Sequence, residues 1–107
     1  MDFSGAFLNE ANVTSADLFR TIFRRAQLEK SNFSGSKMTY AVLIEANLNE
    51  ADFSRTDLSN LILSDANWLS LLDTWKVKGA EEINQHYKMI ESATFYKDSK
   101  YQLVLKQ

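Results

Sequence analysis

The chain has 107 residues and a mass of 12.3 kDa, enough for one domain with a small appendage. Its 12 Lys+Arg against 14 Asp+Glu leave a formal charge of −2, which argues against a nucleic-acid binder and against a strong acidic mimic. The absence of cysteine excludes disulfides, thiolate metal sites and a Cys nucleophile.

From Met1 to Trp68 the chain repeats a five-residue unit without a gap. With the central residue of each unit numbered i, the i series is Phe3, Leu8, Val13, Leu18, Phe23, Leu28, Phe33, Met38, Leu43, Leu48, Phe53, Leu58, Leu63 and Trp68. All fourteen are apolar. At i−2, twelve of fourteen residues are Ala, Ser or Thr; Met1 and Leu61 are the exceptions. Positions i+1 and i+2 are mostly polar or charged. A period of five fits neither the 3.6-residue helix nor the two-residue strand. It requires a chain that turns a corner every five residues and sends i and i−2 inward each time. Such units pack on their neighbours and build a solenoid.

The units Ala11-Asn12-Val13, Ala16-Asp17-Leu18, Ala46-Asn47-Leu48, Ala51-Asp52-Phe53 and Ala66-Asn67-Trp68 resemble the A(D/N)LXX motif of pentapeptide-repeat proteins. The resemblance covers residues 1 to about 70. It implies an all-β solenoid, a right-handed quadrilateral β-helix with four five-residue faces per coil. Fourteen units would make about 3.5 coils, roughly 17 Å tall at the spacing of paired strands. The expected division is a repeat region over 1–70 and a capping segment over 71–107. Some members of the family imitate duplex DNA and bind gyrase, so a topoisomerase modulator is the alternative that the resemblance implies.

Every fourth unit falls on one face of such a coil. Asp17, Lys37 and Asp57 then form one column of alternating charge, and Glu10, Lys30 and Glu50 another, both read as surface ion-pair ladders. Asn12, Asn32 and Asp52 with Thr14, Ser34 and Ser54 read as a solvated wall. The fourth face departs from the motif. Ile22, Val42 and Ile62 stand where Asn or Asp is usual, with Ile44 beside them. Stacked outward aliphatics require a cover. The chain's own tail is the first expectation, and a homodimer contact or a partner's docking strip are the alternatives. Phe7 and Phe19 read as isolated outward aromatics.

After Trp68 the five-residue period stops. Trp68, Leu71, Leu72 and Trp75 share one side of a short helix, with Asn67 as its N-cap. Gly79 reads as a helix stop or hinge. Ile83, Tyr87 and Ile90 suggest a second helix from about Ala80, although Tyr87-Lys88-Met89-Ile90 could equally enter a strand. Tyr101, Leu103 and Leu105 alternate with polar Gln102 and Lys106, except at Val104, as in a strand, paired in a hairpin around Lys97-Asp98-Ser99-Lys100. The segment is expected to cap the last coil through Trp68, Leu72 and Trp75, covering its core and blocking edge-to-edge growth. The first coil has no equivalent cover, so its end is expected either to stack on a second copy or to continue a longer protein.

No catalytic constellation accompanies the repeat. His86 is the only histidine, with no second His or Cys to build a typical zinc set. Gly5, Gly35 and Gly79 are isolated, so no phosphate-cradling loop is visible. The Arg20, Arg24, Arg25 and Lys30 cluster is balanced by Glu29 and Glu45. The reading is a non-enzymatic interaction module, with no cofactor or metal, no direct nucleic-acid partner and no membrane partner. Its partner is an unknown protein or a second copy, meeting it through the uncapped first coil or the aliphatic face. Met1-Asp2-Phe3-Ser4 already lies in the repeat, leaving no room for a signal peptide, and no apolar run approaches the roughly 20 residues of a membrane span. A soluble cytoplasmic protein is therefore expected.

Overall fold

The computed structural model describes residues 1–92 and 98–107. In the repeat region, isolated parallel bridges join residues twenty apart in four columns: Asp2–Ile22–Val42–Ile62, Phe7–Gln27–Asn47, Asn12–Asn32–Asp52 and Asp17–Lys37–Asp57. Each twenty-residue coil thus lies on the previous one, and each column marks one wall. The named elements follow at the top of this stack. They are β1 (Leu61–Leu63), α1 (Trp68–Thr74), α2 (Ala80–His86), β2 (Tyr87–Glu91) and β3 (Tyr101–Leu105).

One unit shows why the motif stacks. Five backbone N–H groups must find acceptors when the chain folds. In Ser31–Gly35, the Ser31 N–H closes a turn onto Leu28 O at 3.0 Å, and Asn32 donates down to Ala11 O at 2.9 Å. Phe33 and Gly35 donate up, to Asp52 O at 2.8 Å and Ser54 O at 3.0 Å. The remaining N–H, of Ser34, donates to Asn32 Oδ1 at 2.9 Å. The Asn or Asp at i−1 is therefore more than an outward polar residue. Its carboxamide or carboxylate serves the one amide that neither neighbouring coil can reach, as an Asx turn. Asp2, Asn12, Asp17, Asn47, Asp52 and Asp57 repeat the contact.

Position i+2 carries the corner. Its φ is positive at each unit from Gly5 to Asn60, including ten non-glycine residues such as Arg20 (60°), Lys30 (59°) and Tyr40 (61°). A positive φ at the second central residue is what a type II turn demands. An L-residue there costs about 1–2 kcal/mol, offset by the bonds to the coil above.

The interior is a column of rings. Phe3 stacks on Phe23 at 5.7 Å, Phe33 stacks on Phe53 at 5.3 Å, and Phe23 meets Phe33 edge to face at 5.6 Å across the coil. Serine and threonine at i−2 are buried because their hydroxyls donate to carbonyls: Ser31 to Leu28, Ser36 to Val13 and Thr56 to Phe33. Burial deepens away from the first coil. Phe3, Leu8 and Val13 are half-buried, whereas Phe23, Leu28 and Phe33 are fully enclosed.

Above the third coil the tail takes over. β3 pairs antiparallel with β1 (Ile62 opposite Gln102) and with β2 (Ile90 opposite Gln102), giving the order β1-β3-β2. The sheet thereby extends the Asp2–Ile22–Val42–Ile62 wall, and Leu103 on its inner side joins the main core. Because α1 begins at Trp68, the division drawn between residues 70 and 71 falls inside a helix.

Three local expectations are sharpened. Asn67 stands at the N-cap of α1 but makes no side-chain capping bond; its own N–H is held by Asp65 Oδ1 at 2.8 Å. Gly79 does not stop α1, which has already ended at Thr74. It is the N-cap of α2 with φ 95°, and a Cβ there would lie 3.1 Å from Ser54 N and 3.2 Å from Phe53 C. Of the two readings open for Tyr87-Lys88-Met89-Ile90, the strand is the one formed: α2 ends at His86 and the chain passes directly into β2. Of the expected hairpin turn, Lys97 lies outside the described residues.

Candidate interaction surfaces

The aliphatic wall is closed. Val42 and Ile44 are 2% and 1% exposed and Ile62 8%, forming a cluster on which Ile22 packs. These positions point away from the coil interior but not into water. The tail borders them at two levels: Lys100 N–H donates to Leu63 O at 3.0 Å, and Asp98 pairs with Arg24 of the second coil. A β-branched or aliphatic side chain cannot supply the Asx acceptor, so this wall exchanges a local hydrogen bond for packing.

The cap residues sit at the other boundary. Trp68 and Leu72 on α1 are buried in the main cluster, and Trp75 is half-buried against it. The polar part of the cap was not visible in the sequence. The third coil's upward N–H groups would need carbonyls of a next coil. Glu50 instead donates to Trp75 O at 2.7 Å, Phe53 to Lys78 O at 2.9 Å and Asn60 to Leu103 O at 2.6 Å. Leu58 donates to the Tyr87 hydroxyl at 3.1 Å. Lys78 also forms a parallel bridge with Asp52, so the linker between the helices lies on the wall read as solvated. Lys78 Nζ stands 3.8 Å from Asp52 Oδ2. Partial burial would raise the Asp52 pKa, but the Ser54 hydroxyl and N–H, with Lys78 and Arg55, outweigh it and hold the carboxyl below its ordinary value.

Neither charge ladder forms an ion pair among the described residues. The pair that does form between coils is Arg25 Nε–Glu45 Oε1, at 3.3 Å. Exposed side chains lose as much freedom as they gain in attraction, so alternation of sign alone does not bring them together.

Phe19 is exposed but not isolated. Its ring meets Tyr40 edge to face at 6.0 Å, and the Arg20 guanidinium lies 5.0 Å from the Phe19 centroid and 6.0 Å from that of Tyr40. Arg20 and Tyr40 are both i+2 corner residues, one coil apart, which fixes them on the same edge of the stack. Their spacing of twenty was legible in the sequence. Phe7, at 84% exposure, stands apart from them.

A groove of about 410 Å³ lies between the third coil and the tail, with Arg55, Asp57 and Ser59 on one side and Glu82, His86 and Leu105 on the other. No group of three His, Cys, Asp or Glu side chains suited to a metal ion occurs among the described residues. No helix among them is long and apolar enough to cross a membrane.

No curated protein matches the chain. The family model for pentapeptide repeats does, in eight copies over residues 2–35 and 36–67. That span agrees with the walls of residues twenty apart and with the Asx contacts that recur along them, and the chain belongs to the pentapeptide-repeat family.

Proposed function

We propose that the chain is a non-enzymatic protein-interaction module: a right-handed quadrilateral β-helix of about 3.5 coils, closed by its own tail, that offers a protein partner a rigid exposed edge. Pentapeptide-repeat proteins are generally structural modules, which supports the class. The tail strand β3 and the Arg24–Asp98 pair favour the tail as the cover of Ile22, Val42, Ile44 and Ile62.

The observation that carries the reading is the Phe19–Arg20–Tyr40 edge. Phe19 is 51% and Tyr40 39% exposed, with Arg20 over both rings. Aromatic residues and Arg are the types enriched in the cores of protein interfaces. Here they are held by a backbone with little freedom, so ordering them on binding costs little. The test is affinity capture from the native host with the wild type and with Phe19→Ser/Tyr40→Ser. Loss of a defined set of proteins in the variant is expected. Identical captured sets would remove this edge as the recognition surface.

A further inference from the structure

We propose that a cavity formed where the chain leaves the third coil binds a primary alkylammonium ion, the head of a lysine side chain on a protein partner. The site lies apart from the Phe19–Arg20–Tyr40 edge, and neither surface requires the other.

The cavity forms because the last motif unit does not stack. In the lower coils the alanine at i−2 accepts from the coil above: Ala6 O from Gln27 N–H at 2.9 Å, and Ala26 O from Asn47 N–H at 3.0 Å. Twenty residues on, Asn67 would serve Ala46 in the same way. Its N–H is held instead by Asp65 Oδ1 at 2.8 Å, and among the described residues no backbone N–H reaches Ala46 O. The neighbouring bond is open too. Gly5 and Arg25 donate to Arg24 O and Ile44 O at 2.8 and 2.9 Å, but Glu45 N–H makes no such bond to Ser64. With α1 starting at Trp68, the chain leaves the wall after Leu63, and a wedge of space opens beside Glu45 and Ala46.

The lining selects the occupant. The cavity measures about 190 Å³, with Leu43, Leu63, Trp68 and Trp75 as apolar walls and Glu45 and Asp65 among the polar ones. At about 30 Å³ per water molecule in the liquid, it has room for a short chain of a few heavy atoms. Against its two carboxylates stands one guanidinium, Arg25, whose Nε lies 3.3 Å from Glu45 Oε1. That pair is 66% and 52% exposed, so it is weak and exchangeable, and a carboxylate accepts several bonds at once. The net charge at the wedge is therefore negative, which rejects an anion. Tryptophan is also the aromatic side chain that best attracts a cation. A wholly apolar guest would bury Ala46 O and the carboxylates without partners. Ala46 O discriminates further, because a primary ammonium brings three N–H donors and a quaternary one brings none. A lysine side chain meets these conditions: its methylenes lie along the apolar walls while the charged head reaches the oxygens.

Both tryptophans of the chain line the cavity, so their fluorescence reports its occupancy. The test is titration with n-butylammonium at constant ionic strength, with n-butanol as the neutral control. A saturable change at millimolar amine is expected, the strength that so few atoms allow, and none with the alcohol. Nα-acetyl-lysine amide should behave as the amine does, and its Nε-acetylated form should not bind. Tetramethylammonium should bind at least about threefold more weakly, lacking a donor for Ala46 O. Asp65→Asn keeps the Oδ1 that holds Asn67 and removes the charge; Glu45→Gln does the same at the other carboxylate. Both side chains are exposed, so the unfolding midpoint should change little, while each variant weakens amine binding at least about threefold. Phe19→Ser/Tyr40→Ser should leave the titration unchanged, which separates this site from the edge. No saturable signal with either amine, an equal response to n-butanol, tetramethylammonium binding as tightly, or indifference to both charge removals overturns the proposal.

Discussion

The Tyr87 hydroxyl accepts the backbone N–H of Leu58 at 3.1 Å, in the place where a further coil would have offered a carbonyl. A side chain from the tail thus ends the stack at one of its buried points. Tyr87→Phe keeps the ring and its packing and leaves the Leu58 N–H without an acceptor. A loss of about 1–3 kcal/mol is expected, read from urea unfolding with an unchanged slope.

Gly79 and Gly5 separate conformation from space. Both have positive φ, 95° and 69°, but a Cβ at Gly5 meets nothing within 4 Å while one at Gly79 meets the backbone of Phe53 and Ser54. Gly5→Ala should cost only the left-handed penalty, about 1 kcal/mol. Gly79→Ala should cost at least about 2 kcal/mol more, because the Phe53–Lys78 hydrogen bond must shift. Equal losses in thermal unfolding would mean that the linker does not press on the third coil.

Two substitutions toward the family motif should act in opposite directions. Phe7→Asn supplies an Oδ1 to the Asn9 N–H at an exposed position, and a gain of a few tenths to about 1 kcal/mol is expected. Val42→Asn offers the same acceptor to Ile44 but buries a carboxamide among Ile44 and Ile62, with a loss of about 2–4 kcal/mol. Denaturant midpoints of the two variants, in dilute protein, check both signs.

The Asp52 carboxyl gives a pH dependence. Its folded pKa lies below the ordinary 3.8, so the folded state favours the charged form. The stability this contributes is present in full above about pH 5 and is lost as pH falls below 3.8 through the folded value. Asp52→Asn keeps the Oδ1 that serves Ser54 and removes only the charge. The wild type should be the more stable near neutrality, and the difference should shrink as pH falls below 3.8. A difference independent of pH would assign the effect to shape.

The period of five made the inward positions legible, because burying Leu28 or Phe33 and closing a corner around Ser31 both leave a mark on residue type. The reason for Asn or Asp at i−1 was less legible. Asn32 reads as merely polar until its Oδ1 is seen to hold the Ser34 N–H. Corner conformation was hidden too, since Arg20, Lys30 and Tyr40 have none of glycine's signal yet adopt its φ. In the tail, backbone carbonyls of Trp75, Lys78 and Leu103 do the capping, and a carbonyl is the same in every residue. The departures from the motif at Val42 and Ile62 fall where the structure buries a small aliphatic cluster with Ile44, with Ile22 partly buried against it, and an exposed aliphatic column is costly in water.

Residue-resolved hydrogen exchange tests the stacking of twenty-residue coils most directly. In the middle coil, amides at i−2, i−1, i and i+2, such as Ser31, Asn32, Phe33 and Gly35, bond to backbone carbonyls, while Ser34 at i+1 bonds to a surface side chain. Protection should therefore fall at every fifth residue, lowest at i+1 and near the global stability at i. A profile lacking that five-residue period across residues 21–40, or one with Asn32 and Phe33 unprotected, would contradict the account.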